Sequence, residues 1–262
     1  MIPFASRNDL QELHRLVKEP RYREEKNLIV LQGSKIVKEW LEAGHSVYAI
    51  FKTIKAPSLL DEEQEGQWNV DPQDLAKAIN LDQSAEIYHV AVIEKPSFVK
   101  PSPLKDTLVL DGLQDPGNVG TLMRSALAFG IEQVLMVEPC CDPFNEKVLR
   151  SSQGASARLQ LYKSSIENCL DLMQEAHIKP WVAHAKDDRS HSLTDFLIYH
   201  EKKPCWLVIG SEGKGARAGF LETGKWVHLP MQEEVESLNA AVAGSILACY
   251  LFHHRLSQKA IL

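Results

Sequence analysis

WLVIGSEGKGARAGFLETGKWVHLPMQEEVESLNAAVAGSILACYLF, residues 206–252, holds two short apolar runs, 206–209 and 226–229, and each stops at a loop. Runs of this length bounded by glycine or proline read as buried strands. Ser237-Leu238-Asn239 then opens a long, mostly apolar helix reaching about residue 252. Two loops at the carboxyl ends of strands beside a helix start predict a ligand crevice.

Strand and helix patterns alternate through the rest of the chain. Strands are expected at 28–31, 47–51, 87–93, 107–110, 133–137, 159–162 and 181–185. Helices are expected at 9–17, from Gly33-Ser34 to Gly44, from Asp71-Pro72 through Ile79, within 118–130, near 146–150 and at 166–176. This alternation predicts an α/β fold with a mostly parallel sheet. Pro96, Pro101 and Pro103 crowd a short polar stretch, which marks 96–104 as a linker between a small α/β domain (1–95) and a larger one (105–262). The acidic stretch 61–65 reads as an exposed loop. Asp115-Pro116-Gly117 reads as a turn, with Asn118 capping the helix after it.

A chain of 262 residues, 44% of them hydrophobic, buries a sizeable core. The amino terminus lacks the pattern of a signal peptide, and the run 240–252 is shorter than the roughly 20 residues that span a bilayer, so no membrane partner and a cytoplasmic location are expected. Five cysteines at no metal-ligand spacing imply reduced thiols and no metal site, with Cys140-Cys141 as packed loop residues rather than a redox pair. The net charge of −6 confines any nucleic-acid contact to local patches. One is Arg15, Lys18, Arg21, Arg23 and Lys26 around Tyr22, equally a solvated charged segment or an RNA-facing one; the other is Lys147, Arg150, Arg158 and Lys163.

The loop 210–215, GSEGKG, fits neither the dinucleotide fingerprint nor the phosphate-binding loop, and Glu212 would repel phosphate. A carboxylate beside closely approaching glycine backbone suits a ligand bearing hydroxyls or positive charge. S-adenosylmethionine carries both. Arg124 lies inside the helix after Asn118, near its positive end, where local electrostatics gives it no benefit and a surface salt bridge is the plain alternative.

Three ordered blocks, LDGLQDPGNVGTLMRSALAFG, VIGSEGKG and LPMQEEVESLNAAVA, resemble those of the SpoU (TrmH-like) branch of the SPOUT RNA methyltransferases. The resemblance spans about 104–256. It implies a trefoil-knotted α/β domain, which no periodicity argument proposes because knots are rare, preceded by a small α/β RNA-binding domain. It also implies a homodimer that transfers methyl from S-adenosylmethionine to a ribose 2′-hydroxyl. The expected RNA is ribosomal, with transfer RNA as the alternative. On this resemblance Asn118, Arg124, Glu212, Ser237 and Asn239 are catalytic, and Gly210, Leu229 and Leu238 hold the cofactor. Arg124 is expected to meet the reacting ribose across the dimer interface. Its guanidinium, with a pKa above about 12, suits charge stabilisation better than the role of base proposed for the family. Glu233 stands where the family has glycine, which points to an altered loop path, weaker cofactor binding or, as a second reading, a non-catalytic RNA-binding protein. A third, a sibling enzyme methylating a base, is disfavoured by the block holding Asn118 and Arg124.

Overall fold

The computed structural model describes residues 2–57, 59, 66–81, 87–98, 100–199 and 204–259. The chain divides into two compact units, Met1–Ser97 and Phe98–Leu262. The expected loop at 61–65 lies outside the described residues.

The first unit contains α1 (Arg7–Lys18), α2 (Pro20–Lys26), β1 (Leu28–Gln32), α3 (Ser34–Glu42), β2 (Val47–Thr53), β3 (Gln67–Val70), α4 (Pro72–Ala78) and β4 (His89–Glu94). Its sheet has the order β1-β4-β2-β3, and β4 runs antiparallel to both its neighbours. The mostly parallel sheet expected from alternation is thus corrected here: a helix between strands does not fix the direction of the next strand. Leu13, Leu16, Val30, Phe51, Leu75 and Val92 form the core. The basic cluster is largely engaged within this unit. Arg23 donates to the carbonyls of Leu16 and Val17 at 3.0 and 3.1 Å, closing the end of α1, and Arg15 lies 3.8 Å from the centre of the Tyr22 ring while pairing with Glu19.

The second unit contains β5 (Thr107–Asp111), α5 (Pro116–Ala128), β6 (Gln133–Val137), α6 (Glu146–Ser152), a 3-10 turn (Ala155–Ala157), β7 (Gln160–Ser164), α7 (Ile166–Glu175), β8 (Trp181–Ala183), α8 (Leu193–Tyr199), β9 (Trp206–Gly210), α9 (Ala218–Thr223), β10 (Lys225–Val227) and α10 (Ala240–Lys259). All six strands are parallel, in the order β10-β8-β9-β5-β6-β7. β5, β6 and most of β9 are buried on both faces, which explains their unbroken apolar sequences. Val109, Leu135 and Val208 face α7 and α9. Alternate residues such as Ile209 face α5 and α10, where a Cβ on Gly244 would meet Leu122 Cδ2 at 2.5 Å and Ile209 Cγ1 at 3.1 Å. Only glycine lets α10 lie that close.

Part of the expected linker is packed. Ser102 N–H donates to Gln133 Oε1 at 2.7 Å and the Ser102 carbonyl accepts from Gln133 Nε2 at 3.0 Å, because the buried Gln133 amide needs partners. α5 also starts earlier than expected. Asp115 is its N-cap, accepting from Asn118 N–H at 2.8 Å, and Pro116 occupies the first helical position, where its missing N–H costs nothing. Asn118 is therefore free of the capping role.

Candidate active site

The carboxyl ends of β8, β9 and β10 and the start of α10 enclose a cavity of about 260 Å³. Gly210, Glu212, Leu229, Ser237 and Leu238, all marked in the sequence, line it. Its floor is the glycine loop folded back on itself: Gly215 N–H donates to the Ser211 carbonyl at 2.8 Å. A Cβ on Gly210 would sit 2.1 Å from both Ala216 N and Gly215 C, so backbone fills the space a side chain would need.

Beside this cavity three of the expected catalytic residues form one chain of hydrogen bonds. Asn239 Nδ2 donates to Asn118 Oδ1 at 3.1 Å, and Asn118 Nδ2 donates to Glu212 Oε1. Asn239 Oδ1 meanwhile accepts from the N–H groups of Ala241 and Val242 at 2.9 and 3.2 Å, so Asn239, and not Ser237, caps α10. Both ends of the Asn239 amide are thereby committed, and the Asn118 amide is fixed in one orientation. Ser237 lies in the cavity wall without a described hydrogen bond.

Arg124 is placed apart. It is exposed on α5, six residues and so roughly 9 Å of helix rise beyond Asn118, and does not line the cavity of its own chain. Among the described residues it takes no ion-pair or hydrogen-bond partner, so the surface salt bridge considered for it is absent there. Glu233 is exposed, outside the cavity wall and without a left-handed φ, so it carries no strain of the kind that glycine would relieve. The cysteine pair is chemically quiet. Burial pushes the Cys140 thiol up to about 12 and raises Cys141 as well, so both stay protonated near neutrality.

Sequence reasoning missed two features. His184 and Ala185, just past β8, belong to the cavity wall, a placement that only the strand order could supply. Asp111, 1% exposed at the end of β5, is held by Arg217: the Arg217 backbone N–H donates to Asp111 Oδ2 at 2.7 Å, Nε donates to Oδ1 at 2.5 Å, and Nη1 donates to the Glu138 carbonyl at 2.8 Å. The signal was a carboxylate closing an otherwise apolar strand, which demands a cation. This clamp ties the end of the glycine loop to β5 and to the residue after β6.

The SpoU rRNA Methylase family model matches residues 105–249, more than half of the chain. The chain belongs to this family. Among similar SpoU/TrmH-type proteins, an uncharacterised tRNA/rRNA methyltransferase of Synechocystis sp. is 29% identical over 98% of this chain and 94% of its own length. The 23S rRNA (guanosine(2553)-2′-O)-methyltransferase RlmP of Bacillus subtilis is 27% identical over 86% of this chain and 88% of its own. The SpoU methyltransferase AviRb of Streptomyces viridochromogenes, solved with S-adenosylmethionine, superposes with a TM-score of 0.81 at 22% identity, covering 97% of this chain and 99% of that one. At that identity the likeness shows the α/β fold of the SpoU family.

Proposed function

We propose that the chain is an S-adenosylmethionine-dependent RNA methyltransferase acting on a ribose 2′-hydroxyl, in ribosomal RNA before transfer RNA. The observation that carries this reading is the Asn239–Asn118–Glu212 chain standing beside a glycine-backed apolar cavity. The cavity fits the cofactor on its own chemistry: an apolar wall, backbone at Gly210 too close for any side chain, and a carboxylate at the rim to balance positive charge. Backbone groups near Gly210, Leu229 and Leu238 would hold it, and when bound it supplies an electrophilic methyl group.

The remaining work falls to the chain. The Asn118 carbonyl and amide are pinned by their neighbours, so they present a fixed surface to an incoming nucleotide. Glu212 uses one oxygen for Asn118, leaving the other to accept from a ribose hydroxyl. Arg124 neutralises the adjoining phosphate and the developing oxyanion. It does so from a second copy of the chain, since in its own chain it stands away from the cavity. Val242, Tyr250 and Leu256 are exposed on one side of α10, 46, 49 and 46% respectively, an apolar stripe that supports a homodimer through this helix.

The trefoil knot belongs to the same reading. β10 lies outside β8, whereas α10 packs on α5 and β9, so the chain between them crosses back over the strand ends where the glycine loop already lies. That path supports threading. The larger unit is then the methyltransferase domain, and the smaller is the RNA-binding domain, where the exposed ring of Tyr48 offers a base-stacking surface. Five unpaired cysteines are in keeping with a cytoplasmic location, and no described helix is long and apolar enough to cross a membrane.

The test is calorimetry with S-adenosylmethionine, together with mapping of ribose methylation in total RNA with wild type and Arg124→Ala. Cofactor binding within about twofold of wild type and transfer reduced by about 100-fold or more are expected for the variant. A folded wild type that binds RNA but no cofactor would replace this reading with the non-catalytic one.

A further inference from the structure

Lys147, Arg150, Arg158 and Lys163 make the segment from α6 to β7 basic in a chain whose net charge is −6. Two of these cations are engaged internally: Arg150 lies 3.6 Å from Glu146, and Lys163 lies 3.0 Å from Glu138. Lys147 is exposed, and among the described residues no carboxylate pairs with its ammonium. Its backbone is nonetheless fixed. Ser151, one turn further along α6, donates to the Lys147 carbonyl at 2.8 Å, and the same hydroxyl lies 3.1 Å from the Pro116 carbonyl, so one oxygen ties Lys147 to the start of α5. Where the two helices cross, a Cβ on Gly120 would sit 1.9 Å from Ser151 Oγ and 2.7 Å from the Val148 carbonyl oxygen, so only glycine allows the contact. Lys147 is thereby held beside the first turn of α5, which also carries Asn118.

That turn has two flanks. On one, Asn118 meets Glu212 and Asn239 beside the cavity; on the other, Pro116 and Gly120 meet α6 and Lys147. The width between them is that of one helix, about 10 Å, which about three stacked nucleotides span. The ridge a strand would cross is low, because Gly117 has no side chain and Thr121 a short one, and both are exposed. It is also unfavourable to phosphate, since the carboxylates of Asp115 and Glu212 are exposed beside it. A phosphate laid over this turn needs a nearby cation to offset them. Lys147, with a flexible four-carbon stem on a fixed backbone, supplies one.

We infer that Lys147 is a substrate-positioning residue: it binds a phosphate of the RNA strand within about three nucleotides of the reacting ribose, in the copy of the chain whose Asn118 faces that ribose. This inference rests on the function proposed above. Arg124, coming from the second copy, serves the reacting nucleotide itself, whereas Lys147 holds the strand next to it. The plain alternative is a solvated surface lysine that touches no RNA. Two substitutions separate the readings. Lys147→Gln removes the charge and keeps most of the stem, while Lys147→Arg keeps the charge.

The experiment is filter binding of in-vitro transcribed 23S rRNA between about 50 and 200 mM salt, joined to steady-state methyl transfer on the same RNA. The slope of log affinity against log salt should shrink by about 0.7–0.9 in Lys147→Gln, the share of one phosphate contact, and Lys147→Arg should keep the wild-type slope. In Lys147→Gln the KM for RNA should rise about three- to tenfold with kcat within about twofold, the pattern of lost binding with the chemical step intact. Affinity for S-adenosylmethionine should stay within about twofold of wild type and the melting temperature within about 2 °C. Unchanged slope and KM in Lys147→Gln, or a Lys147→Arg protein as impaired as Lys147→Gln, would overturn the inference. The salt slope is read without any methyl transfer, so the two failures are distinct: a wild type that binds this RNA but no S-adenosylmethionine would remove the proposed function instead.

Discussion

Arg217→Met removes the cation that holds the end of the glycine loop. In the native protein Asp111 is 1% exposed, and its carboxylate meets Arg217 through the backbone N–H at 2.7 Å and Nε at 2.5 Å. Methionine fills much of the same volume but strands that carboxylate with a single backbone donor. Stranding one member of a buried pair costs about 3–5 kcal/mol. The Arg217 side chain is 34% exposed, so the loss should fall at the lower end. For a unit of this size each kcal/mol lowers the melting temperature by roughly 2–4 °C, which gives a drop of about 6–12 °C. The variant also frees the loop from the Glu138 carbonyl, so the dissociation constant for S-adenosylmethionine should rise. Differential scanning calorimetry and titration of cofactor measure the two effects. The decisive control is Asp111→Asn combined with Arg217→Met: with no charge left to strand, the double variant should be more stable than Arg217→Met alone. A double variant less stable than that single one, or an Arg217→Met protein melting within 2 °C of wild type, would refute the charge-stranding account.

Gly210→Ala drives a methyl group to within 2.1 Å of backbone atoms of Gly215 and Ala216; a stability loss of about 1–3 kcal/mol and no measurable cofactor binding are expected in calorimetry. Asn239→Asp keeps the helix cap but cannot donate to Asn118, so the melting temperature should stay within about 2 °C of wild type while methyl transfer falls at least about tenfold in a tritium-incorporation assay. In the first unit, burial, reinforced by the charge of Lys52, lowers the pKa of His89 from its ordinary 6.5. The unfolded chain therefore takes up this proton first: His89 contributes its full stability above about pH 6.5, and stability falls below that as pH drops toward and through the folded value, by up to about 1.4 kcal/mol per pH unit. His89→Gln should show a shallower loss of urea-unfolding stability between pH 6.5 and 5 than wild type, and an equal slope would refute this.

What the sequence disclosed tracks how local each signal is. Strands β5, β6 and β9 were legible because burial on both faces leaves unbroken apolar runs. β3, with the sequence QWNV, and α2, PRYREEK with no buried residue, went unread because neither carries a hydrophobic period. One signal carries two readings: Asp-Pro at 71–72 reads as a helix start and Asp-Pro at 115–116 as a turn, yet both are an N-cap followed by proline at the first helical position. The glycines after the second pair were what misled. The choice mattered at the site, since moving the cap to Asp115 releases the Asn118 side chain for Glu212.

Contacts that assemble the site lie beyond any window of sequence. Asn118 and Glu212 are 94 residues apart, Asn239 and Asn118 are 121 apart, and Arg217 and Asp111 are 106 apart. Periodicity cannot pair them, and only resemblance to a family brought the three blocks together on paper. Even then the network has a logic the blocks do not express: Asn239 can orient Asn118 only because its other amide atom is spent on capping α10. That helix is anchored at its far end as well, by Arg255 on Asp106 at the foot of β5. A helix pinned at both ends transmits its position to the Asn118 amide, so substitutions that loosen α10 near Arg255 should disturb the site although they touch none of its residues.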